Sequence, residues 1–418
     1  MRGRLLVVGA AAVIALVLGV VLGTSGGDDD PPTTTPTTGK PAADPVAQAL
    51  AATAPVGAGW RERGVDLTSY QPEVFASSGA AAQLDRIKAT GSTTVSIVVT
   101  WYQADKRSGD VQPDGAKSAT DDGVRAIAAA ARDRGMTIAL KPHVDVLDGT
   151  FRGDIDPDDP AAWMRSYTGF VTHLADLATE VGATTFVIGT ELETLSRRTD
   201  DWRALIDQVR QRYSGRLTYA ANWVAEAERV KFWDALDLIG IDAYMPLTKD
   251  DPDPTVAELV RGWQPWRRRL ASLSASVDRP VLFTELGYPS RLGAADRPSQ
   301  EGDGAISQPA QARLYEAAFR VFEDVPWFHG VWWWDWPGDG GDPARDAGSY
   351  TPAGKLAERT MTRWLATAPA AAEPAAPGAT TTEPAPAATE AAPPAVTVTT
   401  TVTVTTPAPA PPTGTGAP

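Results

Sequence analysis

Eight short runs rich in apolar and β-branched residues recur along the middle of the chain, and segments with apolar residues at helical spacing lie between them. The strand-like runs lie at 63–67, 93–103, 136–145, 184–193, 216–223, 236–247, 280–290 and 329–337. The clearest helical segments lie at 121–135, 160–182 and 308–325. Buried parallel strands joined by helices form either a doubly wound sheet or a closed barrel. Eight units over roughly 300 residues favour a single α/β domain, a (β/α)8 (TIM) barrel. In a dinucleotide-binding sheet a Gly-rich loop follows the first strand, and no such loop follows the first run here, which argues against that fold.

Both ends of the chain depart from this alternation. The apolar run 5–22 follows Arg2 and Arg4 and is about long enough to cross a bilayer as a helix, with a cytoplasmic N-terminus. We predict a signal anchor over 1–23; a cleaved signal peptide is the competing interpretation, but its A-x-A motif is missing. In either case the domain lies on the extracellular face of the cell membrane or is secreted. Pro, Thr and Ala dominate 24–54 and 367–418, which predicts a disordered linker and a disordered tail around a barrel domain at 55–366.

Composition narrows the possible partners. The formal net charge is -14, which disfavours nucleic acid and anionic lipid surfaces because binders of phosphate carry a basic face. The chain has no cysteine and only three histidines, so disulfides, Cys nucleophiles and thiolate metal sites are excluded and a multi-His metal site is disfavoured. We expect no metal, no cofactor and a monomer. A neutral polymer is compatible with this charge.

Reactive side chains concentrate where the apolar runs end. In a TIM barrel the functional site lies at the carboxyl ends of the strands, so these residues are expected to share one mouth. They are Asp66, Trp101, Tyr102, His143, Glu191, Asn222, Trp223, Asp242, Tyr244, Glu285, Trp334 and Trp336. The strand interiors are apolar, and this contrast points to a site at the mouth of the barrel.

Two carboxylates stand out because each directly follows a buried run. Strict alternation places Val187 and Gly189 on the same strand face as Glu191, and Val281 and Phe283 on the same face as Glu285. If those faces point into the barrel, the carboxylates of the fourth and seventh strands flank one ligand. Such a pair about 5–5.5 Å apart is the geometry of a retaining glycosidase. One strand-end Glu alone could instead cap a helix or pair with a cation, and finding two argues against that interpretation.

The succession RGVDL, VTWYQ, LKPHVD, GTELE, ANW, IGIDAY, FTELGYPS and WWWDW resembles glycoside hydrolase family 113 of clan A, a family of β-mannanases and related enzymes. The resemblance covers roughly residues 60 to 365, and GTELE with FTELGYPS is its specific part. It implies that Glu191 is the acid/base and Glu285 the nucleophile. One departure is Thr190, where many clan A families carry an Asn that holds the sugar 2-hydroxyl.

The remaining strand-end residues are expected to bind substrate. They are Trp101, Lys141, His143, Asn222, Trp223, Asp242, Tyr244, Trp334 and Trp336, with Tyr244 also a candidate hydrogen-bond donor to Glu285. Core packing is an equal alternative for Trp334 and Trp336, because three consecutive Trp cannot all face a cavity. Bracing the rim is the alternative for Asp242 and the expectation for Asp66. Glu193 is expected to open the following helix, and the loop 291–307 is a candidate flank of the cleft.

Three functions follow from these features. The first is a retaining, endo-acting hydrolase of β-1,4-mannan that cuts polysaccharide or oligosaccharide chains. The second keeps the same machinery but acts on a β-glucan, galactan or xylan, since specificity resides in loops. The third is an inactive barrel that binds glycans of the cell wall. Contact with the membrane is expected only through the N-terminal helix, if it is uncleaved.

Overall fold

The protein forms a single closed barrel of eight parallel strands, paired in sequence order. The structure is a computed structural model and describes residues 59–366. The strands are Glu62–Thr68 (β1), Thr94–Gln103 (β2), Thr137–Val146 (β3), Thr185–Thr190 (β4), Arg216–Asn222 (β5), Ile239–Asp242 (β6), Val281–Leu286 (β7) and Phe328–Pro337 (β8). All eight predicted strands are confirmed, and the barrel replaces the alternative of an open sheet.

Helices fill the connections between the strands. They are Ser78–Ala89 (α1), Asp121–Asp133 (α2), Pro160–Glu180 (α3), Thr199–Arg210 (α4), Trp223–Ala227 (α5), Val256–Val277 (α6), Gln308–Phe322 (α7) and Leu356–Leu365 (α8). The three helices predicted from the sequence are therefore confirmed within a few residues. Their starts are encoded locally: the side chain of Asp159 accepts hydrogen bonds from the first turn of α3, and Thr255 and Glu258 form a capping box at α6.

Three strands end earlier than their sequence pattern predicts. β4 ends at Thr190 rather than 193, β6 at Asp242 rather than 247, and β7 at Leu286 rather than 290. At β4 the cause is local, because Glu191 has a left-handed backbone with φ 53, a conformation that cannot continue a β-ladder. The apolar residues beyond these ends belong to loops at the barrel mouth.

Two apolar layers hold the barrel together. A small inner cluster lies inside it and consists of Ala139, Val187, Ala220, Leu238, Leu282 and Trp332. A larger outer cluster lies between strands and helices. The alternation is visible at β8, where Trp332 belongs to the inner cluster and its neighbour Trp333 stacks on Tyr315 of α7 with ring centroids 4.1 Å apart. At the opposite end from the mouth, Glu62 is buried and paired with Arg216 at 2.8 Å.

β-Bulges interrupt three strands near the mouth. Between the pairs Val187–Thr218 and Thr190–Ala220, β4 advances by one residue more than β5. β7 carries an extra residue relative to β6 before Glu285, and β8 carries one relative to β1 before Trp336. An extra residue reverses the side to which all later side chains point, so these bulges decide which residues face the cavity.

The signal anchor or signal peptide predicted at 1–23, the linker at 24–54 and the tail at 367–418 lie outside the described residues. Within 59–366, no helix combines the length and the apolar character needed to cross a membrane.

Candidate active site

Glu285 lies at the carboxyl end of β7, where two donors and the ring of His143 surround its carboxylate. Lys141 Nζ donates to Oε1 at 2.6 Å, and the Tyr244 hydroxyl, which the sequence made a candidate donor, donates to Oε2 at 2.8 Å. His143 Nε2 lies 3.4 Å from Oε1. Only 4% of the residue is exposed, so water contributes little to holding this charge and the protein groups must do so.

Lys141 is the single cation of a buried acidic cluster. Its Nζ donates to the Thr284 carbonyl oxygen at 2.9 Å and lies 3.6 Å from Asp242 and 3.9 Å from Asp66. Burial alone would lower the pKa of Lys141, but the surrounding carboxylates raise it above its ordinary value. The ammonium is therefore charged at neutral pH.

The carboxyl groups of this cluster differ in their pKa values. Burial would raise the pKa of Glu285, but Lys141 and His143 hold it well below its usual range. Burial raises the pKa of Asp66 to about 8 and that of Asp242 well above its ordinary value. Of the three carboxyl groups, Glu285 is therefore the one that ionises most readily.

Glu191 follows the end of β4 and has a different partner. Its backbone N–H donates to the Ala220 carbonyl oxygen at 2.8 Å, which fixes the left-handed turn beside β5. Arg152 donates from one guanidinium nitrogen to Glu191 Oε2 at 2.9 Å and from another to Asp145 at 2.6 Å. Burial raises the pKa of Glu191 to about 7; Arg152 opposes this effect, and the charge of Glu285 adds to it. The two glutamates therefore stand in environments that separate their protonation states.

Sequence and structure comparisons agree on the family. The profile of Glycoside Hydrolase Family 113 matches residues 68–355. The chain belongs to glycoside hydrolase family 113. It is a glycoside hydrolase, and its substrate is a carbohydrate.

The alignments with solved members of family 113 cover nearly the whole length of those proteins. A β-mannanase of this family from Alicyclobacillus acidocaldarius, in complex with ManMIm, is 29% identical with a TM-score of 0.67; the match covers 74% of this chain and 98% of that one. A family 113 β-1,4-mannanase solved as a complex is also 29% identical, with a TM-score of 0.66 and coverage of 73% and 99%. A Ruminococcus gnavus β-glucuronidase, 14% identical with a TM-score of 0.51 and coverage of 73% and 50%, shares the fold alone. No curated protein sequence matches the chain.

Family membership and strand position do not by themselves explain how the glutamates reach the cavity. The expectation that Val187, Gly189 and Glu191 share one face is wrong. Val187 faces the barrel interior, whereas a Cβ on Gly189 would meet Trp202 of the helix layer at 2.6 Å. The bulge in β4 and the left-handed turn at Glu191 return the carboxylate to the cavity.

The predicted face of β7 is also wrong, for the same reason. Phe283 packs in the outer layer against Trp263 and Phe322, and Leu282 is the residue inside the barrel. The extra residue of β7 then brings both Thr284 and Glu285 inward. The Thr284 hydroxyl donates to Asp242 at 2.8 Å, and Glu285 points to the mouth.

Two of the tryptophans expected to bind substrate lie outside the barrel. Trp101 stacks on Phe170 of α3 with ring centroids 4.5 Å apart. Trp336 is completely buried, and its indole N–H donates to Gln83 of α1 at 3.2 Å. Alternation along β2 turns Trp101 away from the cavity, and the bulge in β8 does the same for Trp336. The expectation that these two residues bind substrate is therefore wrong, and both pack between strands and helices.

Trp334 lies at the mouth. It is half-buried, its indole lies 5.7 Å from the His143 ring at an interplanar angle of 10°, and Lys141 Nζ lies 5.6 Å from its ring centroid. Burial lowers the pKa of His143 to about 4, so the imidazole is neutral at pH 7. Trp334 thus presents an aromatic ring beside His143 and Lys141, which both lie next to Glu285 Oε1.

A separate polar group lies at the carboxyl end of β5. Asn222 and Trp223 are half-buried, and the Asn222 amide donates to Glu193 at 3.2 Å. Glu193 also pairs with Arg229 and precedes a short 3-10 turn, so the expectation that it opens a helix is wrong. Thr190 donates its hydroxyl to the Pro142 carbonyl oxygen at 2.9 Å, which directs it into the barrel wall rather than towards a sugar.

Arg152 and Asp145 were missed by sequence reasoning. Asp145 shares strand parity with Lys141 and His143, which would have placed it in the site. Arg152 lies in a loop without periodicity, and its only signal is that it is the sole Lys or Arg between Lys141 and Arg165.

A cavity of about 490 Å³ opens at the end of β2. It is lined by Tyr102 of β2 and by loop residues, among them Gln112, Asp114 and Leu147. Among the described residues, no group of three or more His, Asp and Glu side chains could hold a metal ion.

Proposed function

We propose that this chain is a retaining β-mannanase that cleaves β-1,4-mannan by a double displacement on Glu285 and Glu191. The proposal is carried by the different surroundings of the two carboxyl groups, which separate their pKa values. Lys141 and Tyr244 keep Glu285 charged, while burial raises the pKa of Glu191 to about 7. One ionised and one protonated carboxyl group are what this reaction needs.

In the first step Glu285 attacks the anomeric carbon as the bond to the leaving oxygen breaks. Glu191 gives its proton to that oxygen, so the leaving sugar departs as an alcohol and a glycosyl ester of Glu285 remains. Arg152 decides which oxygen carries the proton. Because a guanidinium only donates hydrogen bonds, Glu191 Oε2 accepts from Arg152 and the proton resides on Oε1.

In the second step Glu191 acts as a base. Esterification removes the negative charge of Glu285, which had helped to raise the pKa of Glu191. The pKa of Glu191 then falls, and its carboxylate takes a proton from the water that attacks the ester. The sugar is released with its original anomeric configuration, and both carboxyl groups return to their starting states.

Substrate class is tested with the full chain on β-1,4-mannan beside β-glucan, galactan and xylan. We expect mannan to be cleaved fastest, with short oligosaccharides appearing throughout digestion, because the solved relatives at 29% identity are β-mannanases. Faster cleavage of another glycan would replace mannan as the substrate and leave the mechanism standing. Binding of glycans without turnover from pH 4 to 9 would contradict the mechanism itself.

The two roles are separated by chemical rescue with azide. In Glu285→Ala, azide takes the place of the nucleophile and should give the α-glycosyl azide. In Glu191→Ala, azide attacks the glycosyl-enzyme and should give the β-glycosyl azide. The opposite pattern in the NMR spectra of the products would exchange the two assignments.

We also propose, from the sequence alone, that the N-terminal segment holds the enzyme at the outer face of the membrane. Protease added to intact cells should then remove the barrel from the membrane fraction. Release of the chain into the medium with a shortened N-terminus would instead identify a cleaved signal peptide.

A further inference from the structure

The loop after β3 exposes an aromatic ring beside Glu191. Within residues 59–366, the large hydrophobic side chains that are exposed are Leu147, Phe151 and Ile306. Phe151 is 44% exposed and directly precedes Arg152, whose guanidinium contacts Glu191. An exposed aromatic side chain next to a catalytic group is a candidate ligand contact, because ligand sites are lined by such residues.

The position of the ring follows from Gly153. A Cβ on Gly153 would lie 2.5 Å from Cε1 of the Phe151 ring and 3.2 Å from the backbone oxygen of Glu191. The ring therefore lies over Gly153, close to the backbone that carries the acid/base. The absence of a side chain at Gly153 is what leaves room for it.

The loop that carries the ring is fixed to the segment after Glu191. The Gly153 carbonyl oxygen accepts hydrogen bonds from Thr194, from the backbone N–H at 3.2 Å and from the hydroxyl at 2.8 Å. Arg152 is held by Val144, Asp145 and Glu191 together. A surface fixed in this way loses little conformational entropy when a ligand covers it.

We propose that Phe151 is the stacking platform for the sugar on the leaving-group side of the scissile bond. This inference rests on the proposed role of Glu191. Because Glu191 protonates the leaving oxygen, the sugar that carries this oxygen lies beside Glu191 during the first step. The C–H face of that ring covers Phe151 and removes its exposed apolar surface from water. The same platform holds a sugar acceptor when it replaces water in the second step.

The test compares two substrates that share a glycosyl group but differ in leaving group. One is a β-manno-oligosaccharide, whose leaving group is a sugar. The other is the matching β-glycosyl fluoride, whose leaving group is too small to reach Phe151. Phe151→Ala should lower kcat/KM for the oligosaccharide about tenfold and leave kcat/KM for the fluoride within twofold of wild type.

Matched variants identify the cause of the loss. Phe151→Trp keeps a flat ring and should retain oligosaccharide activity, whereas Phe151→Leu is apolar without a flat face and should resemble Phe151→Ala. Gln208→Ala removes an exposed side chain of α4 and should leave kcat/KM for both substrates unchanged. Phe151→Ala should also form less transfer product from the fluoride when mannobiose is added as acceptor.

Equal losses on both substrates would assign Phe151 a structural role and overturn the platform. Unchanged oligosaccharide activity in Phe151→Ala would overturn it as well. Both outcomes require an active wild type, which separates them from failure of the proposed function, where wild type cleaves neither substrate.

Discussion

At the scale of single residues, the site is organised by competition for one buried ammonium. Lys141 Nζ is 2.6 Å from Glu285 but 3.6 Å from Asp242 and 3.9 Å from Asp66. Because Coulomb attraction falls with distance, the nearest carboxylate gains most, and at the other two carboxyl groups the cost of burial outweighs the attraction of Lys141. The structure thus makes Glu285 the most readily ionised of the three carboxyl groups.

Removing this cation should disable Glu285. In Lys141→Met we expect kcat to fall by about 100-fold or more, which corresponds to ~3 kcal/mol in the barrier. The pKa of Glu285 should also rise, so that activity on the acidic side is lost at a higher pH than in wild type. Steady-state kinetics across pH on the preferred glycan measures both effects.

Lys231→Met is the matched control, because Lys231 is exposed and its replacement also removes one positive charge. It should leave the pH profile unchanged. A Lys141→Met enzyme that is folded by circular dichroism and has a wild-type acid limb would contradict the role of Lys141.

Arg152 acts on Glu191 in the opposite sense to burial, since its charge lowers the pKa of that group. In Arg152→Met the pKa of Glu191 should rise, and because the acid must be protonated, the alkaline limb of kcat/KM should move to higher pH. The loss of a charged hydrogen bond should also reduce kcat about tenfold to 100-fold.

Arg107→Met is the control, because it breaks an exposed ion pair with Asp156. It should change neither the alkaline limb nor kcat. If the alkaline limb did not move in Arg152→Met, the effect assigned to Arg152 on the pKa of Glu191 would be wrong.

At the scale of elements, periodicity predicted the strands well and the faces of their ends poorly. Eight runs gave eight strands, because burial between helices demands continuous apolar runs. The predicted faces of the strand ends were wrong at β4, β7 and β8, where an extra residue reverses the alternation. Glu191 and Glu285 lie at the mouth as predicted despite this, since their position after the runs is independent of parity. Trp336 was assigned to the cavity because its bulge leaves no compositional mark.

The packing of β4 against the helix layer can be tested at Gly189. In Gly189→Ala the new Cβ would lie 2.6 Å from the Trp202 ring and 2.8 Å from the Tyr167 hydroxyl, and both side chains are fully buried. We expect a loss of ~1–3 kcal/mol in the free energy of unfolding, measured by urea denaturation. Activity should fall as well, because Glu191 follows two residues later.

Gly169→Ala provides the comparison for this substitution. Gly169 lies on the exposed face of α3, with no heavy atom within 4 Å of the added Cβ. The free energy of unfolding of Gly169→Ala should be ~0.5–1 kcal/mol higher than that of wild type, because alanine favours the helical conformation over glycine. If Gly189→Ala proved as stable as Gly169→Ala, the close packing at β4 would be wrong.

At the scale of the whole molecule, the barrel brings together groups that lie far apart in the sequence. β7 provides Glu285, Glu191 directly follows β4, and β3 supplies Lys141 and His143. These side chains start from strands or from the residue next to a strand, so the barrel sets the distances between them. The net charge of -14 offers no attraction to a polymer without charge, and recognition must therefore come from short-range contacts at the mouth.

The combined electrostatics of the molecule predicts an asymmetric pH profile. With the pKa of Glu191 at about 7, kcat/KM for a glycan should be half-maximal near pH 7 and fall above it, because the ionised carboxyl cannot protonate the leaving oxygen. On the acidic side activity should persist well below the ordinary pKa of a glutamate, because Lys141 keeps Glu285 charged. The β-glycosyl fluoride distinguishes this cause from acid or base unfolding: fluoride leaves without a proton, so its kcat/KM should lack the alkaline limb in the same enzyme. An alkaline limb of equal position with both substrates would show that the group titrating near pH 7 is not the acid that serves the leaving oxygen.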